Sequence, residues 1–332
     1  MSRGFGEVVH LQEAIPDWVA VVIGLLTQLG DPWFLILILV VLYWTRPALQ
    51  EDALIVMGMY VAGLGLYRYL KFVFELPRPE EPLLDPELVP WLIRPLYEAT
   101  AFASSYGFPS GHATSSTIVY FGLATVLTVG TPRARYAVAS VLVGLIGFTR
   151  IALGVHFLVD IVVGVALGGA VVLLTFYLFR LISRDRVTVV LFFAIVTSGL
   201  YLFESEAHPE AVHAFGIALG LFGGWQLVIL ADQLVGKTDS RKTVIPIRVR
   251  GVFTVAIFIL FVGVLERFSM IGGEPFPLGA LSGIGAAVAV ILPIARYSTR
   301  VGIIFSSASL WAKSLLNTLR SLVRRTLTRL RF

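Results

Sequence analysis

Residues 149–181 read TRIALGVHFLVDIVVGVALGGAVVLLTFYLFRL. After Asp160 no charged side chain appears until Arg180. An apolar block of that length matches the roughly 20 residues a helix needs to cross a bilayer. The block is preceded at once by an arginine, a histidine and an aspartate. Ionisable groups at the edge of a membrane span are costly and tend to mark function.

Comparable blocks recur along the 332-residue chain, which is 57% apolar and only 14% charged. Soluble domains carry about 25% charged residues. The blocks predict spans at about 32–45, 52–72, 110–130, 136–155, 158–181, 187–203, 212–235, 250–267 and 278–296. The fold class expected is therefore all-α, a polytopic transmembrane bundle of about nine spans plus interfacial helices. Residues 17–30 are apolar but short, and Asp31-Pro32 then breaks the helix because Pro32 has no N–H to donate. That segment reads as interfacial or partly inserted, with a tight two-span hairpin as the alternative. Gly164 and Gly168 have the spacing that suits close helix packing. The N-terminus, MSRGFGEVVHLQEAIPDW, is too polar for the apolar region of a signal peptide. The absence of cysteine excludes disulfides and thiolate-ligated metals.

Charge placement orients the chain. If the loop after Lys71 faces outward, the connections at 46–51, 130–135, 180–186 and 236–250 and the tail from 296 face inward. They hold 19 of the 26 basic residues. The outward loop 75–108 carries six acids against Arg78 and Arg94, and the next, ESEAHPE, is also acidic. The positive-inside rule selects this orientation. The net charge of +5 thus belongs to a membrane face and not to a nucleic-acid partner. The expected location is the cell membrane, with the C-terminus cytoplasmic. The tail 308–331 alternates leucines with arginines at helical spacing. It is expected to lie on the inner surface against anionic lipid headgroups as a positive-inside anchor.

Three polar clusters fall on the outward side in this topology. KFVFELPRP (Lys71–Pro79) ends one span, PSGH (Pro109–His112) begins the next, and TRIALGVHFLVD (Thr149–Asp160) surrounds the end of a later one. Lys71, Arg78 and Arg150 supply positive charge, and arginine forks match phosphate oxygens in shape. Ser110 offers a hydroxyl. Gly111 lets a helix start approach an anion with its N–H groups. His112 and His156 bring nucleophile and proton chemistry at neutral pH. Asp160, four residues after His156, sits where it can fix the ring's tautomer. Two histidines and an aspartate could also ligate a metal, but three nearby cations would repel a divalent ion. No metal and no cofactor are expected.

At these residues the chain resembles the type-2 phosphatidic acid phosphatase superfamily, which also contains glucose-6-phosphatases and vanadium haloperoxidases. The family pattern, K-x6-R-P, P-S-G-H and S-R-x5-H-x3-D, reads here as Lys71-x6-Arg78-Pro79, Pro109-Ser110-Gly111-His112 and Thr149-Arg150-x5-His156-x3-Asp160. Thr149 departs from the usual serine. It keeps the hydroxyl for phosphate contact and adds a methyl. The resemblance covers roughly residues 17–181. It implies that His156 attacks phosphorus to form a phosphohistidine, that Asp160 orients it, and that His112 protonates the leaving oxygen. Lys71, Arg78, Ser110, Gly111 and Arg150 would hold the phosphate, without a metal.

The expected activity is hydrolysis of a membrane lipid phosphate or diphosphate, phosphatidic-acid-like or polyprenyl, at the outer face. A phosphotransferase using the same histidine is the first alternative and a non-enzymatic transporter the second. Haloperoxidase chemistry is disfavoured because those relatives are soluble. The domain organisation expected is 1–31 as an interfacial segment, 32–184 as the phosphatase core, 185–297 as additional spans and 298–332 as the basic tail. For the additional spans, homodimerisation, a lipid groove and a partner site stay open.

Overall fold

A computed structural model describes residues 7–13, 15–79, 105–182, 185–234 and 276–297, with Gly4, Leu83, Trp91, Arg94, Tyr97 and Glu98 besides. Among these residues the chain is helical, with no strand. The span expected at 250–267, most of the loop 80–104 and the basic tail lie outside the described residues.

In chain order the helices are α1 (Glu7–Glu13), α2 (Asp17–Leu26), α3 (Pro32–Thr45), α4 (Gln50–Phe74), α5 (Gly111–Val126), α6 (Pro132–Ala152), α7 (Leu158–Leu181), α8 (Arg186–Glu204), α9 (Pro209–Leu234) and α10 (Phe276–Tyr297). Among the described residues five helices, α4 and α6 to α9, are long and apolar enough to cross a membrane, or six spans if α2 and α3 are joined. The protein is a multi-pass membrane protein. Its large exposed apolar side chains, such as Val141 at 69%, Leu173 at 72% and Phe203 at 77% exposure, would be a liability in water and are suited to lipid.

Residues 17–30 are α2 followed by a 3-10 turn, Thr27–Gly30. The pair Val19–Gly30 and Pro32–Thr45 bends by 45° at its break. That is a kinked or partly inserted element and not a tight hairpin. Pro32 at the first helical position explains the bend: its ring fixes φ and it lacks the N–H that would continue the ladder.

α4 is the axis of the bundle, touching α3, α5, α7, α8 and α9. Most of its residues from Ala53 to Tyr67 are buried. α5 is different. It has 16 residues, about 24 Å at 1.5 Å per residue, short of the roughly 30 Å hydrocarbon thickness. The span expected at 110–130 is this shorter helix. It lies enclosed, with Ala113 to Tyr120 all buried. Enclosure explains its run of Ala-Thr-Ser-Ser-Thr, which would be costly against lipid. Thr114 Oγ1 donates to the Ser110 carbonyl at 2.9 Å and Thr117 Oγ1 to the Ala113 carbonyl at 2.7 Å. The hydroxyls thus satisfy themselves on their own helix.

The close packing expected at Gly164 and Gly168 is present. A Cβ on Gly164 would stand 2.7 Å from the Ser110 carbonyl oxygen, and one on Gly168 2.7 Å from that of Thr114. These two positions let α7 lie against the first turns of α5. Gly164→Val is expected to overpack this contact at a cost of about 1–3 kcal/mol, read as a lower Tm in detergent. Gly169→Val, where a Cβ meets nothing within 4 Å, is the control and should leave Tm unchanged.

Candidate active site

The C-terminus of α4, the N-termini of α5 and α7 and the C-terminus of α6 meet at one end of the bundle. They close around a cavity of about 190 Å³. Lys71, Arg78, Gly111, His112, Arg150 and His156 line it, as the three motifs anticipated. Asp31, Tyr67, Arg68, Ser105 and Ser115 line it too.

Lys71 is in the last turn of α4 and is buried. Its Nζ donates to the Tyr106 carbonyl. α4 ends because Glu75 adopts a left-handed conformation, φ 48°, with its N–H on the Lys71 carbonyl at 2.9 Å. The chain then returns Arg78 over the cavity. Arg78 Nε donates to the Ser105 carbonyl at 2.6 Å and Nη2 to Ser105 Oγ at 3.2 Å. Its Nη1 reaches the Val155 carbonyl at 2.9 Å and His156 Nε2 at 3.1 Å. The guanidinium is therefore fastened by backbone on both sides of the nucleophile candidate.

His156 and Asp160 are 2% and 0% exposed. His156 Nδ1 lies 3.3 Å from Asp160 Oδ2, which also accepts the Phe157 N–H at 3.0 Å. A carboxylate on Nδ1 and a guanidinium donor on Nε2 define the tautomer: Nδ1 carries the proton and Nε2 the lone pair. Burial first, then the charges of Arg78, Lys71 and Arg150, hold the His156 pKa well below 6.5. Burial likewise lowers Arg78 to about 10, with Asp160 opposing. Arg150, at the end of α6, is buried and donates through Nη1 to Thr27 Oγ1 at 3.1 Å.

Ser110 and Asp160 stand behind the cavity wall. The Ser110 Oγ caps α5 by accepting the Ala113 N–H at 3.4 Å, and its own N–H donates to the Asp160 carbonyl at 3.0 Å. That second bond joins the PSGH motif to the His156 turn. The hydroxyl oxygen of Ser110 serves the helix start as an acceptor, which leaves its O–H available to donate. Thr149 differs from its expected place on the phosphate. Its Oγ1 donates to the Ile146 carbonyl at 2.7 Å, on its own helix. Gly111 does line the cavity, under the ring of Tyr67, which a Cβ would meet at 2.8 Å.

Three contributors were not singled out from the sequence. Asp31, read there as a helix breaker, lies 3.5 Å from His112 Nε2. Thr27 holds Arg150. Arg68, one turn before Lys71 on the same face of an apolar helix, pairs with Glu210 of α9 at 2.7 Å. The i, i+3 spacing of Arg68 and Lys71 was the available signal. Nothing local points from Asp31 to a histidine 81 positions away. Taken together the cavity is an anion site with a neutral, oriented imidazole and a second histidine in its wall.

Residues 52–184 match the family model of the PAP2 superfamily. Phosphatidylglycerophosphatase B of Bacillus subtilis (strain 168) is 32% identical over 132 residues, covering 36% of this chain and 63% of that protein. The chain thus spans less than two thirds of that relative's length. Among solved structures, the first transmembrane PAP2 type phosphatidylglycerolphosphate phosphatase from Bacillus subtilis is 25% identical, with a TM-score of 0.42 over 51% of this chain and 80% of that one. Aquifex aeolicus LpxE is 24% identical, with a TM-score of 0.39 over 52% and 94%.

The tautomer and charge state carry a prediction. Replacing Arg78 by Gln removes a positive neighbour, which makes protonating His156 less costly and raises its pKa. Ring 15N NMR should therefore show more protonated His156 in the variant than in the wild type at any pH below about 6.5. An unchanged titration would mean that burial alone sets the state of the ring.

Proposed function

We propose that this chain is a membrane phosphatase that hydrolyses a lipid phosphate or diphosphate through a phosphohistidine at His156. The observation that carries the reading is the neutral His156, tied to Asp160 through Nδ1, with its Nε2 lone pair against Arg78 Nη1 in a cavity also lined by Lys71 and Arg150, where an entering anion would draw the guanidinium off the ring.

The substrate's phosphate enters the cavity, and its oxygens take the donors of Arg78, Lys71 and Arg150. The Nε2 lone pair of His156 attacks phosphorus while the bond to the leaving oxygen breaks. Asp160 stabilises the positive charge that develops on the ring. His112 protonates the leaving oxygen. Water then attacks the phosphohistidine, His112 takes its proton, and inorganic phosphate departs. The fixed cations supply most of the stabilisation, because they face the charge that develops on the phosphoryl oxygens. Ser110 acts here by fixing the start of α5, and Gly111 by offering a close backbone approach.

The relative's name favours a glycerophospholipid monoester as substrate, and a polyprenyl diphosphate is the other candidate. Either tail would lie in the apolar surroundings of the bundle with its headgroup in the cavity. The orientation read from the basic residues puts the site on the extracytoplasmic face, with residues 32–184 as the phosphatase core, 185–297 as additional spans and the C-terminal tail on anionic lipid inside.

Detergent-purified protein should release phosphate from phosphatidylglycerophosphate, phosphatidic acid or a prenyl diphosphate, with EDTA present. His156→Ala should lose at least about 1,000-fold in kcat. Rapid acid-free quenching with 32P-labelled substrate should trap a base-stable, acid-labile phosphoprotein in the wild type alone. Release that persists in His156→Ala sinks the assignment of the nucleophile. Label passing to an added lipid alcohol without free phosphate makes the enzyme a transferase.

A further inference from the structure

The elements before residue 52 lie outside the matched superfamily segment, yet they form one wall of the cavity. Asp31 is the N-cap residue of α3. An aspartate in that position ordinarily accepts the N–H of the second or third helical residue. Here only its carbonyl does so, taking Phe34 and Leu35 N–H at 3.1 Å, and the side chain makes no cap bond. The carboxylate turns instead toward His112, with Oδ1 3.5 Å from Nε2. Oδ2 and the facing His112 Nε2 are both buried, and neither has a hydrogen-bond partner among the described residues, so the 3.5 Å approach is a contact that a small shift would close into a bond. A half-buried carboxylate that forgoes its local cap and keeps one oxygen fully buried beside a histidine is suited to that histidine's N–H.

The turn that carries Asp31 is built for this contact. Tyr120 of α5 donates its hydroxyl to the Leu29 carbonyl at 2.7 Å. Trp33 Nε1 donates to Gln28 Oε1 at 2.9 Å, and Thr27 receives Arg150. Gly30 brings the backbone against the ring: a Cβ there would stand 3.1 Å from His112 Cδ2 and 2.6 Å from Ile146 Cγ2. The turn therefore cannot drift from His112 without breaking contacts to α5 and α6.

We propose that Asp31 is the positioning residue of His112, so that the cavity holds two carboxylate–histidine pairs, Asp160 with the nucleophile and Asp31 with the general acid. The inference rests on the reading of His112 as that acid. Asp31 Oδ1 accepts Nε2–H, which leaves Nδ1 as the atom that exchanges protons with substrate. As the bond from phosphorus to the leaving oxygen breaks, the Nδ1 proton passes to that oxygen and the ring becomes neutral, keeping Nε2–H on Asp31. In the second step Nδ1 takes the proton of the attacking water.

Two substrates separate this role from a structural one. An alkyl phosphate such as dioctanoyl phosphatidic acid needs its leaving oxygen protonated, and 4-nitrophenyl phosphate does not. Asp31→Asn should lower kcat on the alkyl ester by on the order of 10- to 100-fold, and on the nitrophenyl ester by less than about 3-fold. Asp31→Glu, which keeps the charge, should recover part of the alkyl activity. Adding Asp31→Asn to His112→Ala should cost nothing further. Equal losses on both substrates, or a further loss in the His112→Ala background, overturn the proposal. A melting temperature matching the wild type shows that Asp31→Asn is folded. Should it be unfolded, the same substrate ratio read on Asp31→Glu decides, an unchanged ratio at reduced activity counting against the proposal. Wild-type protein that releases phosphate from neither substrate overturns the phosphatase reading instead.

Discussion

Four cationic side chains, Arg68, Lys71, Arg78 and Arg150, line one small cavity at the end of a helical bundle. Leaving such a charge buried and uncompensated costs several kcal/mol. Much of the surrounding structure can be understood as compensation. Lys71 and Arg78 are tied to backbone carbonyls of Tyr106, Ser105 and Val155. Arg68 is balanced by Glu210, and Arg150 bonds to Thr27. The remaining excess of positive charge is what an anion entering the cavity would meet. It also keeps His156 neutral and therefore nucleophilic.

This compensation draws on parts of the chain outside the superfamily segment. Thr27 and Asp31 come from the turn before α3, and Glu210 from the start of α9. Phe72 of α4 also stacks near Tyr201 and His208, at the α8–α9 end. The added helices are thus joined to the site through α4, whose C-terminal part carries both Arg68 and Lys71. A change in how α9 packs would reach the cavity through the Arg68–Glu210 pair without touching a motif residue.

The enclosed helix α5 links fold to chemistry. Its small and hydroxylic side chains permit α4 and α7 to approach closely. The Ser110 N–H bond to the Asp160 carbonyl then fixes where its first turn sits relative to His156. In that setting the Ser110 hydroxyl serves the helix, and the backbone at Gly111 is what faces the anion.

Hydropathy is local, so most helices were legible along the chain: 158–181 agrees with α7, and 187–203 and 278–296 agree with α8 and α10 within two residues at each end. Motif spacing likewise named Lys71, Arg78, Gly111, His112, Arg150 and His156, because residue type and interval survive translation into one dimension. The direction in which a hydroxyl points does not. Thr149 carries the right group, but helix geometry turned its hydroxyl onto its own backbone, while Ser110 Oγ caps a helix as an acceptor. Asp31 with His112 and Arg68 with Glu210 were equally hidden, because residues 81 and 142 positions apart meet only when helices pack. Composition and pattern determined that this is a helical membrane protein with three cationic and histidine-bearing motifs. Packing decided which side chains face the cavity and which carboxylate lies beside each histidine, since those depend on distances that sequence separation does not encode.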